Sequence, residues 1–317
     1  MSNVQKLIIP SSFNFQEYMV DAEPQAKVLS PEAWREELVE STRGGSKVYG
    51  AELPWAKTHD HLRFRGGEVT LWQGINGHGK SQLLGQATLG FARQGEGVCN
   101  ASFEMKPVST LKRMLRQAAR NATPSELMAN RLIDWLEGKY WLYDQQGQVK
   151  PEMMYAVIRY CAQKLKVKHI VIDSLMKCVR GEDDYNGQKD FVDMLTTLAR
   201  DYQVHIHLVH HVRKGENEDK APGKFDAKGS GAISDQVDQV LTVWRNKKKE
   251  RLVEKILRTP GAVIDEETQA MPDAMLICDK NRHGEWEGGV QLWYDPKSLQ
   301  YTPDKRCIPL DIMGEDR

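Results

Sequence analysis

The sequence predicts an α/β protein built on a mostly parallel sheet with helices on its faces. Three observations carry this. Segments patterned as short buried strands alternate with segments whose apolar residues recur at helical spacing, the arrangement that parallel sheets require. A glycine-rich stretch, "GINGHGKS" at 74–81, stands between a strand-like and a helix-like segment. An apolar run, "HIVID" at 169–173, ends in an acid.

The elements follow in order. Residues 1–29 have weak periodicity and are expected to be irregular or ordered by a partner. Ser30-Pro31-Glu32 writes a helix start, with a capping hydroxyl, a proline in the first turn and an acid. The helix over 31–40 carries Trp34, Leu38 and Val39 on one side and is too short to be stable alone. "EVTLWQG" reads as a strand entering the glycine loop, 80–93 as a helix and 97–104 as a second strand. Helices are expected near 107–121 and 124–137, the first from the spacing of Leu111, Met114, Leu115 and Ala118. Residues 151–165 present Met154, Val157, Ile158, Cys161 and Leu165 on one face, and 187–202 present Phe191, Leu195, Leu198 and Tyr202. "VHIHLVHH", "QVLTVW" and "MLICDK" read as strands, and "VQLWY" as the one that closes the sheet. Two polar stretches, 212–229 and 246–273, read as loops.

Composition narrows the function. The 317 residues carry 44 Lys+Arg and 44 Asp+Glu, so the net charge is zero and a protein that coats nucleic acid through overall basicity is excluded. Contact with nucleic acid would have to come from local clusters. Five cysteines, an odd count with no C-x-x-C, exclude a disulfide framework and fit a reducing cytoplasm. No apolar run approaches the roughly 20 residues of a membrane span, and no start reads as a signal peptide.

"GINGHGKS" satisfies G-x-x-x-x-G-K-[ST] in the strand-loop-helix setting that makes it a phosphate-binding P-loop. Glycines let backbone N–H groups face phosphate oxygens, and the helix start adds its positive end. Gly74, Asn76, Gly77, His78, Gly79, Lys80, Ser81 and Gln82 are the expected nucleotide-binding residues. Lys80 is expected at the β/γ-phosphates and Ser81 on Mg²⁺. Asp173 ends an apolar strand, where it can hold the same Mg²⁺. Glu104 ends the strand after the P-loop helix, where it can orient the attacking water. His205, His207 and His211 share a face of one strand, but with no Cys or acid nearby the first two read as hydrogen-bonded side chains rather than metal ligands.

The ordered series "GINGHGKS", "SFEM", "HIVIDSL", "LVHHVRK", "GSGAISDQVDQVLTVWRN" and "DKNRHG" resembles the RecA-like motor domain of DnaB-type (superfamily 4) ring helicases, particularly the phage primase-helicase branch, over residues 55–302. The resemblance implies a RecA-like P-loop NTPase core over 51–303. An N-terminal extension with a linker helix over 1–50 would precede it, and a tail over 304–317 would follow. It implies that Glu104 is the catalytic base and that His211 senses the γ-phosphate. It implies that Arg282 is an arginine finger offered to the neighbouring subunit's nucleotide, with Lys280 as its companion. Arg245 and Tyr294 match an arginine and a tyrosine that sandwich the base, Tyr294 with a one-residue gap. Lys214, Lys220, Lys224 and Lys228 fall where the family lines its channel for single-stranded DNA. Where the family usually has a glutamine, this chain has Asp235, with Gln236 next to it.

The implied activity is that of an ATP- and Mg²⁺-dependent replicative DNA helicase. It would act as a hexameric ring on single-stranded DNA, with a primase or polymerase at the fork, in the cytoplasm of a bacterial host and encoded by a phage or prophage. The alternative is a RecA-like DNA-binding ATPase, a recombinase or helicase loader without unwinding activity. A small-molecule P-loop kinase would need an arginine-bearing lid, and the sequence shows none.

Overall fold

A computed structural model describes residues 8–9, 30–42, 49–181, 183–211 and 231–314. Among these residues ten strands form one sheet, in the order β1-β4-β3-β5-β6-β2-β7-β8-β9-β10. The seven from β1 to β7 run parallel: β1 (Ile8–Ile9), β2 (Val69–Gly74), β3 (Val98–Ser102), β4 (Tyr140–Tyr143), β5 (His169–Asp173), β6 (His205–His211) and β7 (Gln239–Arg245). β8 (Ala274–Asn281), β9 (Gly288–Asp295) and β10 (Gln300–Thr302) extend the sheet antiparallel.

The helices are α1 (Arg35–Thr42), α2 (Lys80–Arg93), α3 (Pro107–Ala119), α4 (Glu126–Leu136), α5 (Pro151–Gln163), α6 (Tyr185–Tyr202), α7 (Gly231–Gln236), α8 (Lys247–Leu257) and α9 (Glu266–Ala270). Their starts are chemically marked. Prolines open α3 and α5, where a missing N–H costs nothing. Ser125 and Asp184 accept the Met128 and Gly187 N–H groups at the starts of α4 and α6.

Every residue of β2, β3 and β5 is buried, as expected of strands covered on both faces. Alternate residues feed two cores. Val69, Leu71, Ile170, Ile172, Ile206 and Leu208 join α5 and α6 on one face. Trp72, Val171, Val209 and Leu241 join α2, α3 and α4 on the other.

The structure corrects several expectations. The segment 246–273 is not a plain loop: it holds α8 and α9, capped by Asn246 on the Lys249 N–H and by Asp265 on the Thr268 N–H. α8 is strongly polar and buries only Lys249, which hid it from a search for apolar stripes. β9 does not close the sheet, since β10 pairs beyond it. β4 went unrecognised because four residues are too short for a readable period, and residues 8–9 add an edge strand inside the stretch expected to be irregular. The first-turn helix over 31–34 is 3₁₀ and continues as α1 to Thr42. The loop 212–229, with Lys214, Lys220, Lys224 and Lys228, lies outside the described residues.

Candidate functional site

The parallel register brings four strand ends to one edge. Gly74 pairs with His211, Ser102 with Asp173, and Asp173 with Val209. Side chains leaving these carboxyl ends therefore converge on the start of α2, as ligand sites do in open α/β sheets.

The loop between β2 and α2 is held in a shape that only glycine accommodates at two points. A Cβ on Gly74 would overlap the Val243 carbonyl oxygen, and one on Gly79, at φ +86°, would overlap the Tyr301 hydroxyl. Asn76 and Gly77 are exposed at the loop crest. His78 is buried; its Nδ1 accepts the Arg245 N–H at 3.2 Å, and its own N–H bonds the Ile75 carbonyl. Gln82 donates to the Leu299 carbonyl at 2.9 Å, tying α2 to the end of the sheet.

Lys80 is buried, its Nζ donating to the carbonyls of Gly74 (2.7 Å) and Ile75 (3.0 Å). Burial lowers its pKa to about 8, opposed by the carboxylates of Asp173 and Glu104. Asp173 is 5% exposed and lies within hydrogen-bond reach of Ser81. Burial raises its pKa, the Ser81 hydroxyl bond opposing. Its Oδ1 has no hydrogen-bond partner among the described residues. A hydroxyl beside a buried carboxylate oxygen left without a donor is a donor set suited to a hard cation, so Ser81 and Asp173 fit Mg²⁺.

Glu104 projects from the loop after β3, its carboxylate 3.6 Å from His211 Nε2 and 4.0 Å from Lys177 Nζ. Burial and the nearby Lys80 ammonium hold the His211 pKa below the ordinary value, against the pull of Glu104 and Asp173. Lys177 has no signal in the sequence; it ends a short 3₁₀ turn, Leu175–Lys177, with no pattern of its own.

A cavity of about 430 Å³ adjoins the loop at Gly79 and Gln82. Arg245 and Tyr294 both line it, so the proposed base-sandwiching pair shares one cavity. Arg245 is ion-paired with Glu250 at 2.5 Å, and the Tyr294 ring stands 5.4 Å from that of Tyr301. α8 and α9 supply Lys249, Glu250 and Gln269 to the wall.

Lys280 and Arg282 are elsewhere. β8 runs antiparallel, so its end meets the start of β7, with Asn281 opposite Gln239. Arg282 bonds Asp238 at 2.9 Å, and Asp238 accepts the Val69 N–H at the amino-terminal end of β2. Lys280 Nζ donates to the carbonyls of Ser234 and Asp235 at the end of α7. Five strand residues at about 3.3 Å each separate this end from Gly74, roughly 16 Å. The chain does not bring its own Arg282 to its own P-loop. On the same helix end, Asp235 is exposed, while Gln236 is half-buried with an Oε1 that no described residue bonds.

His205 and His207 spend their ring nitrogens on protein groups. His205 meets the Arg65 carbonyl (2.7 Å) and the Thr70 hydroxyl (2.8 Å). His207 accepts the Trp72 indole N–H at 3.1 Å and meets His169 at 3.1 Å.

A glycine loop of P-loop sequence, with Lys80, Ser81, Asp173 and Glu104 gathered around it at the carboxyl edge of a parallel sheet, marks an NTPase of the P-loop class. Residues 49–217, more than half of the chain, match the family described as AAA domain, and the chain belongs to that family. It is 26% identical over 206 residues to the DNA helicase/primase of Enterobacteria phage T3. The match takes in 58% of this chain and 36% of that protein, so the chain spans about a third of that relative's length. A solved DnaB-like replicative helicase, described with its interactions with primase, superposes with a TM-score of 0.68 at 16% identity, over 88% of this chain and 69% of that one. Another solved structure, described as an ATPase domain, gives 0.66 at 17% identity over 89% of this chain and 99% of that one. The fold is thus that of RecA-like helicase ATPase domains. No described helix is long and apolar enough to cross a membrane.

Proposed function

We propose that this chain is the motor of a replicative DNA helicase. It would hydrolyse ATP between subunits of a ring, a hexamer by family resemblance, to move along single-stranded DNA and separate duplex. The observation that carries the reading is the division of the machinery between two ends of the sheet. Lys80, Ser81, Asp173, Glu104 and His211 meet at one end; Arg282 and Lys280 stand roughly 16 Å away at the other, by the strand rise. A finger that cannot reach its own nucleotide suits a head-to-tail assembly, which closes into a ring or runs on as a filament. The phage helicase/primase relative and the replicative-helicase fold support the same class.

Lys80, freed from the loop carbonyls, neutralises the β/γ-phosphates. Ser81 and Asp173 would hold Mg²⁺, which when bound withdraws charge from the phosphate oxygens. Glu104 takes the proton of the attacking water, and His211, 3.6 Å away, registers the change in charge at the γ-phosphate. Arg282 and Lys280 of one subunit stabilise the transition-state charge at the next subunit's site, a contribution of ~10³–10⁵ in rate for such arginines. Arg245 and Tyr294 take the base. Lys214, Lys220, Lys224 and Lys228 track the DNA backbone, with a primase or polymerase as partner at the fork.

The test is ATP hydrolysis and fork unwinding by mixed subunits. Lys80→Ala and Arg282→Ala proteins, each inactive alone, should regain part of the single-stranded-DNA-stimulated hydrolysis when combined. A lone monomer that hydrolyses at full rate and ignores DNA would end this reading. DNA-stimulated hydrolysis without unwinding would favour the loader or recombinase alternative.

A further inference from the structure

Arg245, the last residue of β7, is held from two sides. Its backbone N–H donates to Nδ1 of His78 in the glycine loop at 3.2 Å. Its Nη2 donates to Oε1 of Glu250, in the first turn of α8, at 2.5 Å. The other carboxylate oxygen of Glu250 accepts from Lys247 Nζ at 2.9 Å, so both oxygens are engaged and the carboxylate is fixed. Arg245 and Glu250 both line the cavity beside Gly79 and Gln82, which places their ion pair in the cavity wall.

The same turn of α8 is fixed to the other member of the proposed sandwich. Asn246 caps the helix on the Lys249 N–H, and its own N–H donates to the Asp273 carbonyl at 2.8 Å. Lys249, which directly precedes Glu250, is buried, and its Nζ meets Asp273 Oδ1 at 2.7 Å. The second carboxylate oxygen of Asp273 accepts the Tyr294 N–H at 2.9 Å. A short chain of bonds thus runs from Lys249 through Asp273 to Tyr294. The polar segment 246–273 braces Arg245 through Glu250 and Tyr294 through Asp273.

We infer that Glu250 is a positioning residue of the nucleotide site: it holds the Arg245 guanidinium by its edge at the cavity wall, so that a face of the planar group is left for a nucleobase. This rests on the reading, given above, that Arg245 and Tyr294 take the base. A guanidinium hydrogen-bonds in its plane and stacks through its face, so a carboxylate on the edge does not compete with a ring on the face. An arginine without such a partner gives up rotamer freedom when it stacks. One already fixed by a carboxylate gives up less, and the difference appears as affinity. The pair itself does little for the fold: the two side chains are 37% and 41% exposed, a setting in which ion pairs contribute little net stability. Placing Arg245 and holding the fold are therefore separable by experiment.

Equilibrium binding of ATP and of inorganic tripolyphosphate to the full chain tests this, with a double-mutant cycle and ligand-free thermal melting. Arg245→Ala should weaken ATP by about 3- to 30-fold, the range for a cation over an aromatic face, and leave tripolyphosphate, which has no base, unchanged. Glu250→Ala should weaken ATP by about 2- to 10-fold, again with tripolyphosphate unchanged, as a part of that same contact. Glu250→Gln, which keeps an acceptor, should recover some of the loss. In the Arg245→Ala background Glu250→Ala should add no further loss, because its effect passes through the arginine. The melting temperature of Glu250→Ala should stay within about 3 °C of the wild type. A Glu250→Ala protein that binds ATP as the wild type does, or more tightly, overturns the inference; tighter binding would make the pair a latch that withholds Arg245. Equal losses for both probes overturn it too, since they would put Glu250 on the phosphate side. So do additive losses in the double variant, which would give Glu250 a role of its own, and a melting temperature lowered well beyond that range, which would make it structural. Arg245→Ala separates the two levels. If it binds ATP as the wild type does, the base reading fails and takes this inference with it; if it loses affinity while Glu250→Ala does not, only this inference fails.

Discussion

Arg282 and Asp238 are ion-paired at 2.9 Å at the end of the sheet opposite the P-loop, and the same Asp238 carboxylate accepts the N–H of Val69 on the central strand. Asp238 is 2% exposed, whereas the Arg282 side chain reaches the surface. Truncating the arginine leaves a buried carboxylate short of a partner. Arg282→Ala should lower unfolding free energy by about 1–3 kcal/mol, the cost of stranding a buried polar group, and Arg282→Lys by less. Urea denaturation measures this. An unchanged midpoint would show that Asp238 is satisfied without Arg282.

Lys80 gives a pH dependence with a definite sign. Its pKa is lowered to about 8 without ligand, and a polyphosphate favours the charged ammonium and raises it. Above pH 8, binding must then take up a proton. Nucleotide affinity should fall as pH rises past 8, by up to about tenfold per unit. Calorimetry at pH 8.5 in two buffers of different ionisation enthalpy should report proton uptake; release would contradict the assignment.

Glu104→Gln keeps the shape and removes the proposed base. The Glu104 side chain is 44% exposed and makes no contact closer than 3.6 Å with His211 and 4.0 Å with Lys177, so stability should change by less than about 0.5 kcal/mol. Hydrolysis should fall by ~10²–10⁴, the usual worth of a positioned base, with nucleotide binding retained. A variant that still hydrolyses at the parental rate would remove Glu104 from that role.

The buried histidines set an acid limit. Burial holds His205 at a pKa of about 4 and puts His169 and His207 well below the ordinary value. The unfolded chain, titrating near 6.5, binds more protons between pH 6.5 and 4, so stability falls as pH drops through that window. His205 alone would account for roughly 3 kcal/mol, at about 1.4 kcal/mol per pKa unit. His205→Gln should flatten the dependence of unfolding free energy on pH near 5 by about one proton. An unaltered slope would mean that His205 is not held neutral.

Some of this was legible along the chain. "GINGHGKS" announces its own geometry because a left-handed turn without side chains must be written in glycine. "HIVID" shows a doubly covered strand because both faces demand apolar residues. The prolines at 107 and 151 mark helix starts for an equally local reason. Other elements left no such mark. β4 and β10 are too short to display a period and exist through pairing with β3 and β9. α8 had an Asn246 cap in plain view, but its helix buries so little that apolar spacing could not reveal it.

The sequence by itself determined the alternation of strands and helices, the phosphate loop and the acids that follow two strands, because each depends on neighbours only a few residues away. The tertiary structure alone decided which side chains face one another. It set Glu104 beside His211, 107 residues on; it tied Arg282 to Asp238, far from the P-loop of its own chain. These relations follow from strand order and register, which are fixed by the joint burial of both sheet faces, a property that no local window contains.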